Sequence, residues 1–164
     1  MSNSNRAKEY SAKNETLGNV GDVLAFIGHR PLPVVRESAS IEEIVNCFTQ
    51  STYSRVIYVV DENGALAGAV TQEELVKHLF IHYHDEYLDK RSLLSQAVSE
   101  TAADLMHNER LHCTASDELA ALLTDMISFH QDEVPVVDST NRIINDITMM
   151  DIIRYCASSG IVPV

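Results

Sequence analysis

Apolar residues recur along this chain in two rhythms, one suited to helices and one to strands. In "IEEIVNCF", Ile41, Ile44, Val45 and Phe48 fall on one helical face; in "ELAALLTDMI", Leu119, Leu122, Leu123, Met126 and Ile127 do the same. Each helix is followed by the same signals in the same order. "RVIYVV" (55–60) and "VPVV" (134–137) are short β-branched runs, "DENG" and "DSTN" are turn formers, and "ALAGAV" and "RIINDI" return as second strands, so each half predicts a hairpin. A threonine then opens a further helical pattern, "TQEELVKHLF" from Thr71 and "TMMDIIRYC" from Thr148. The interval from Asp61 to Thr71 equals that from Asp138 to Thr148, which marks a duplication. Upstream, "NVGDVL" and "TAADLM" each set a capping residue three positions before an aspartate, the start of a short helix.

The chain therefore divides into a flexible lead-in over 1–18, a first repeat over 19–90, a connecting segment over 91–100 and a second repeat over 101–164. The pairs Leu75/Leu79, Val76/Phe80 and Tyr83/Tyr87, each four apart, extend the last helix of the first repeat toward residue 90.

With 164 residues and 45% hydrophobic content, the chain can bury one core or two small halves. Its 24 acidic residues against 12 basic ones give a net charge of -12, which argues against nucleic acid or a membrane surface as partner. No apolar run approaches the roughly 18 to 20 residues of a membrane span, and "MSNSNRAKEY" lacks the apolar core of a signal peptide, so a cytoplasmic location is expected. Cys47, Cys113 and Cys156 are odd in number and lie among apolar neighbours, the pattern of reduced, buried thiols.

A helix, a hairpin and a Thr-x-x-acid step into a second helix, occurring twice, resemble a pair of cystathionine β-synthase (CBS) domains, the Bateman module. "VPVVDSTNRIINDITMMDII" and "RVIYVVDENGALAGAVTQEEL" carry the resemblance, which covers residues 19 to 157. It implies an α/β fold of two pseudo-symmetric βαββα repeats packed through their sheets around a central cleft, assembled as a homodimer. It also implies a sensor without catalytic activity, binding AMP or a related adenosine ligand (ATP, ADP or S-adenosylmethionine) and signalling to an effector protein in trans.

On that resemblance, Thr148 and the amides of the helix it opens suit a phosphate, because a helix N-terminus carries unpaired N–H groups and partial positive charge. Asp151, in the first turn, suits the two ribose hydroxyls. Val134, Pro135, Val136 and Ile147 would wall the adenine, with the segment near Leu111 to Cys113 opposite. The corresponding positions of the first repeat are Thr71 and Glu74 after Gly68, with Arg55 entering the strand and Tyr58 where the second repeat has Pro135. Asn145 replaces the strand glycine in the second repeat, and Asp132 and Glu133 stand where a cation would help, so the two sites are not expected to bind equally.

Simpler roles compete. Thr with an acid three residues on is also a helix capping box, and a strand-flanking arginine such as Arg55 is also a solvated surface group. His78 and His82 lie four apart, with His84, Asp85 and Glu86 close by, a spacing open to zinc; the acidic surplus is open to weak magnesium binding. The sequence contains no Gly-rich phosphate loop, nucleophile elbow or metalloprotease His-Glu spacing, so an enzyme is not expected. A dimerisation module without bound nucleotide is the remaining alternative.

Overall fold

The computed structural model describes residues 17–81 and 100–161. Their elements run α1 (Val20–Ile27), β1 (Val34–Arg36), α2 (Ile41–Gln50), β2 (Val56–Val60), β3 (Leu66–Thr71), α3 (Gln72–Ile81), α4 (Ala102–Leu105), α5 (Leu119–Ser128), β4 (Glu133–Val137), β5 (Ile143–Thr148) and α6 (Met149–Ser158). Both hairpins and the helices flanking them form where the periodicity placed them. Tyr83, Tyr87 and the rest of 82–99 lie outside the described residues, as do 1–16 and 162–164.

The elements gather into two compact units, and neither is a single repeat. One comprises the chain through Arg30 with Leu111–Ser139 and Ile144 onward; the other comprises Pro31–Arg110 with Thr140–Ile143. Helix α1 of the first repeat thus belongs with α5, β4, β5 and α6 of the second, while α4 of the second belongs with β1, α2, β2, β3 and α3 of the first.

In the unit around the first repeat, the sheet order is β1-β2-β3. Strand β1 runs parallel to β2, with Val34 opposite Tyr58; β3 runs antiparallel, with Val70 opposite Ile57 and Ala69 opposite Tyr58. Alternation along the strands sends Ile57, Val59 and Val70 to one face, where Ile41, Ile44, Leu75 and Ala102 pack on them. Val56, Tyr58 and Ala69 form a second cluster, joined by Leu66 and Ile143. Asp61 fixes the hairpin turn, accepting hydrogen bonds from the amides of Asn63 (2.8 Å) and Ala65 (2.9 Å).

In the other unit, β4 pairs with β5, and Cys113 bridges Val136 in parallel: its amide donates to the Pro135 carbonyl (3.1 Å), and its carbonyl accepts from Val137 (2.8 Å). The segment ending at Cys113 is thus a neighbour in the sheet, edge-on to β4. Val20, Val23, Leu119, Leu122, Met126, Val134, Val136, Ile147, Ile152 and Cys156 make the core. An isolated helix of α1's eight residues is marginal in water, so α1 owes its stability to Val20 and Val23, both fully buried against this core. Ile127, at the margin of the apolar stripe of α5, is 63% exposed.

All three cysteines are free thiols; Cys113 and Cys156 are buried and Cys47 is half-buried. Burial raises the pKa of each, and for Cys113 burial, reinforced by nearby Asp117, pushes it up to about 12. Among the described residues no helix is long and apolar enough to cross a membrane.

Candidate functional site

Strand β5 delivers the chain into α6 at Thr148, whose extended backbone (φ -110°, ψ 157°) makes it the N-cap. The Thr148 hydroxyl accepts from the Asp151 amide (3.1 Å) and donates to Asp151 Oδ2 (2.7 Å), and the same oxygen accepts from the Thr148 amide (2.9 Å). This is a closed capping box. Thr71 and Glu74 close the same box at the head of α3, with the Thr71 amide 2.6 Å from Glu74 Oε2 and the Glu74 amide 3.2 Å from the Thr71 hydroxyl. Asn19 with Asp22 and Ser40 with Glu43 repeat it at the heads of α1 and α2. The Thr-x-x-acid pattern by itself is therefore a helix-starting device in this protein.

Burial separates Asp151 from its counterparts. It is 4% exposed, whereas Asp22 and Glu43 are exposed and Glu74 is half-buried. A cap facing water has no need of burial, and a carboxylate taken from water needs a counter-charge.

Arg30 supplies that charge. Its Nη2 lies 2.9 Å from Asp151 Oδ2 and donates to the Asp146 carbonyl (3.2 Å), and its Nε lies 2.5 Å from Asp146 Oδ1. The two carboxylate side chains are 5–6% exposed and the arginine side chain 32%. Burial acts to raise the pKa of Asp151, but the Arg30 hydrogen bond, together with the hydroxyl and amide of Thr148, outweighs it and holds the carboxyl below its usual range. Burial likewise opposes the charge of Arg30, and Asp151 and Asp146 more than restore it. Next to them, buried Asn145 donates from Nδ2 to the Gly28 carbonyl (3.1 Å), fixing the end of α1 two residues before Arg30. Asparagine at this strand position is thus a tether for the lead segment.

The first repeat's corner is built to the same plan with weaker chemistry. There His107 donates its backbone N–H to the Ala69 carbonyl (3.0 Å), and its Nε2 lies 2.7 Å from Glu74 Oε1. Gly68 is required at this point: a Cβ there would come 2.8 Å from the His107 carbonyl and 2.9 Å from Met106 Sδ. In each unit, then, a basic side chain from the other repeat's lead segment meets the acid in the first turn of the last helix.

The remaining expected residues divide. Val134, Val136 and Ile147 are fully buried in the helix-facing core. Pro135 is also buried, and strand alternation sends it to the opposite face from Val134 and Val136. Tyr58 is likewise fully buried, on the sheet face of Val56 and Ala69. Arg55 is exposed, and its carbonyl accepts from Gln72 (3.1 Å), just as Asp132 accepts from Met149 (2.9 Å) at the other corner. His78 Nε2 meets Glu100 Oε2 at 2.7 Å; His82, His84, Asp85 and Glu86 lie outside the described residues. Among the described residues no three His, Cys, Asp or Glu side chains gather as a metal site would require.

Arg30 and Asp146 escaped the sequence reading. The available signal was Asp146 itself, a carboxylate amid the apolar run of β5, which demands a cation once buried. Nothing in the sequence pointed to which of the 12 basic residues would provide it.

No curated protein matches the chain. Among solved structures, CBSX2 of Arabidopsis thaliana, in a complex with AMP, superposes with a TM-score of 0.68 at 22% identity over 87% of this chain and 98% of that one. A CBS domain-containing protein of Thermotoga maritima gives 0.69 at 25% identity over 87% and 96%. The CBS domain pair of protein MJ0100, bound to 5′-methylthioadenosine and S-adenosyl-L-methionine, gives 0.62 at 20% identity over 86% and 97%. The sequence also matches the CBS domain model at residues 20–81 and again at 102–158, each match running from a lead helix to the helix after a hairpin. The chain belongs to the CBS domain family and carries two copies of the domain in tandem.

Proposed function

We propose that this protein is a regulatory module that binds an adenosine-containing ligand at the Thr148–Asp151 corner and conveys its presence to a partner protein. The observation that carries this reading is the burial of Asp151. Its Oδ2 holds the helix start and Arg30, while its Oδ1 makes no hydrogen bond among the described residues and remains as an acceptor for a ribose hydroxyl. Pro135 is the neighbouring candidate to meet the base. The complexes of similar folds with AMP, and with methylthioadenosine and S-adenosylmethionine, support adenosine as the common element. Thr71, Glu74, Arg55 and Tyr58 form the weaker, second candidate corner. A homodimer acting on an effector in trans, in the cytoplasm and without catalysis of its own, completes the proposal.

One observation favours a rival reading. The capping boxes satisfy Thr148 and Thr71 without any ligand, as they would in a dimerisation module. Isothermal titration of adenosine, AMP, ADP, ATP and S-adenosylmethionine into the full chain separates the two. Saturable binding of at least one, lost in Asp151→Ala, is expected; no heat from any of them at millimolar concentration selects the dimerisation module.

A further inference from the structure

Tyr58 is the largest fully buried side chain among the described residues. Strand alternation turns it away from the helices, onto the sheet face of Val56 and Ala69, where Leu66 and Ile143 join the same cluster. It stands on the central strand of three, between Val34 and Ala69, and its amide donates to the Pro33 carbonyl (2.9 Å), so the backbone fixes where the ring emerges. The turn of the second hairpin brings Ile143 to it. Asn141 accepts from the Leu66 amide (2.8 Å) and donates from Nδ2 to the Leu66 carbonyl (3.1 Å), and Arg142 donates from Nη2 to the Asn63 carbonyl (3.0 Å). In the register that pairs Asp61 with Asp138, Val56, Tyr58 and Ala69 correspond to Glu133, Pro135 and Asp146. The sheet face beside the Thr71–Glu74 corner is therefore apolar and carries an aromatic ring, whereas the face beside the Thr148–Asp151 corner carries two carboxylates and a compact proline.

We propose that Tyr58 is a built-in occupant of the base seat at the first corner, so that the chain takes one adenosine ligand, at the Thr148–Asp151 corner, and not two. This rests on the functional reading above and deepens it, by fixing the number of ligands and the corner that holds them. A flat, largely apolar ring on the wall that would meet the base has the shape and polarity of the guest it replaces. A ligand at the first corner would first have to expel this fully buried side chain, which weakens binding by roughly tenfold to a hundredfold. Proline at the equivalent position, with three side-chain carbons and no polar atom, makes a wall and not a filling.

The test is calorimetric titration of adenosine, AMP and S-adenosylmethionine into the full chain and into Tyr58→Ala, with folding checked by circular dichroism. Wild type is expected to take one molecule per chain of whichever compound binds. Tyr58→Ala should take two, and the added event should vanish in the double variant Tyr58→Ala/Glu74→Ala while the first persists. Tyr58→Val, which also removes the ring but keeps a strand-forming side chain, decides the matter if the alanine variant does not fold. Two molecules per chain in wild type, or still one in the folded ring-less variant, overturns the role of Tyr58 while leaving adenosine binding intact. Failure of wild type to bind any of the three compounds instead overturns the functional reading itself.

Discussion

Replacing Asp151 with alanine removes two things at once: the carboxylate that closes the capping box on Thr148, and one of the two anions that hold Arg30. The box contributes about 1 kcal/mol. The hydrogen bond from a charged guanidinium contributes about 1.5–3 kcal/mol when well formed; here the arginine is about one-third exposed and keeps Asp146, so roughly 1 kcal/mol is the fitting share. A loss on the order of 2 kcal/mol corresponds to a fall in Tm of about 4–8 °C for a chain of this size. The loss carries a pH signature. Asp151 has a pKa below the ordinary aspartate value of 3.8 in the folded protein, so the unfolded chain takes up the proton first on acidification. Its contribution is therefore complete above pH about 4 and disappears as the pH falls through the folded value. Urea denaturation of wild type and Asp151→Ala at pH 7 and at stepwise lower pH measures this directly, the difference cancelling the other carboxylates. Asp22→Ala serves as control, since Asp22 closes the same box in solvent without an arginine, and its loss should be the smaller. A difference between wild type and Asp151→Ala that stays constant down to pH 3, or one no larger than the control's, would refute the ion-pair argument.

Two further predictions follow from local geometry. Gly68→Ala forces a methyl group to within 3 Å of the His107 carbonyl and Met106 Sδ, and should destabilise by about 1–3 kcal/mol in urea melts through a steric clash; Gly28→Ala has open space around its Cβ, but φ 72° and ψ -169° form a combination essentially confined to glycine, so it should cost a similar amount, roughly 1–3 kcal/mol, through backbone strain alone. Cys113, its thiol pushed up to about 12 behind a closed core, should resist alkylation by iodoacetamide at pH 8 in the native protein and react only after denaturation, as peptide mass analysis would register.

The features legible in the sequence are ones that depend on neighbours a few residues away. Helix α2 is set by Ile41, Ile44 and Phe48, and the first hairpin by two β-branched runs around Asp61 and Gly64, so periodicity and turn chemistry suffice. What escaped depends on distant partners. Strand β1 has three residues, follows Pro31 and Pro33, and exists because β2, some twenty residues on, offers a parallel edge. The partner of α1 was equally invisible, since two bodies of the same design present similar apolar seats to Val20 and Val23. Arg30 meets its carboxylates across more than a hundred residues, and no spacing rule reaches that far. Val134 and Val136 are apolar and precede the corner, which suits a ligand wall as well as a core; the structure buries both in the helix-facing core, a packing outcome that no local pattern sets. Thr148 and Asp151 were correctly placed together at one corner; the burial that distinguishes this corner from Thr71 and Glu74 comes from packing.

The exchange of lead helices between the halves bears on how such a chain folds. A single copy would lack the helix that closes its core and could complete itself only by borrowing from a twin. Cutting the chain between the repeats would therefore leave each fragment with an exposed apolar seat, and neither is expected to reach its native core until the other is added back.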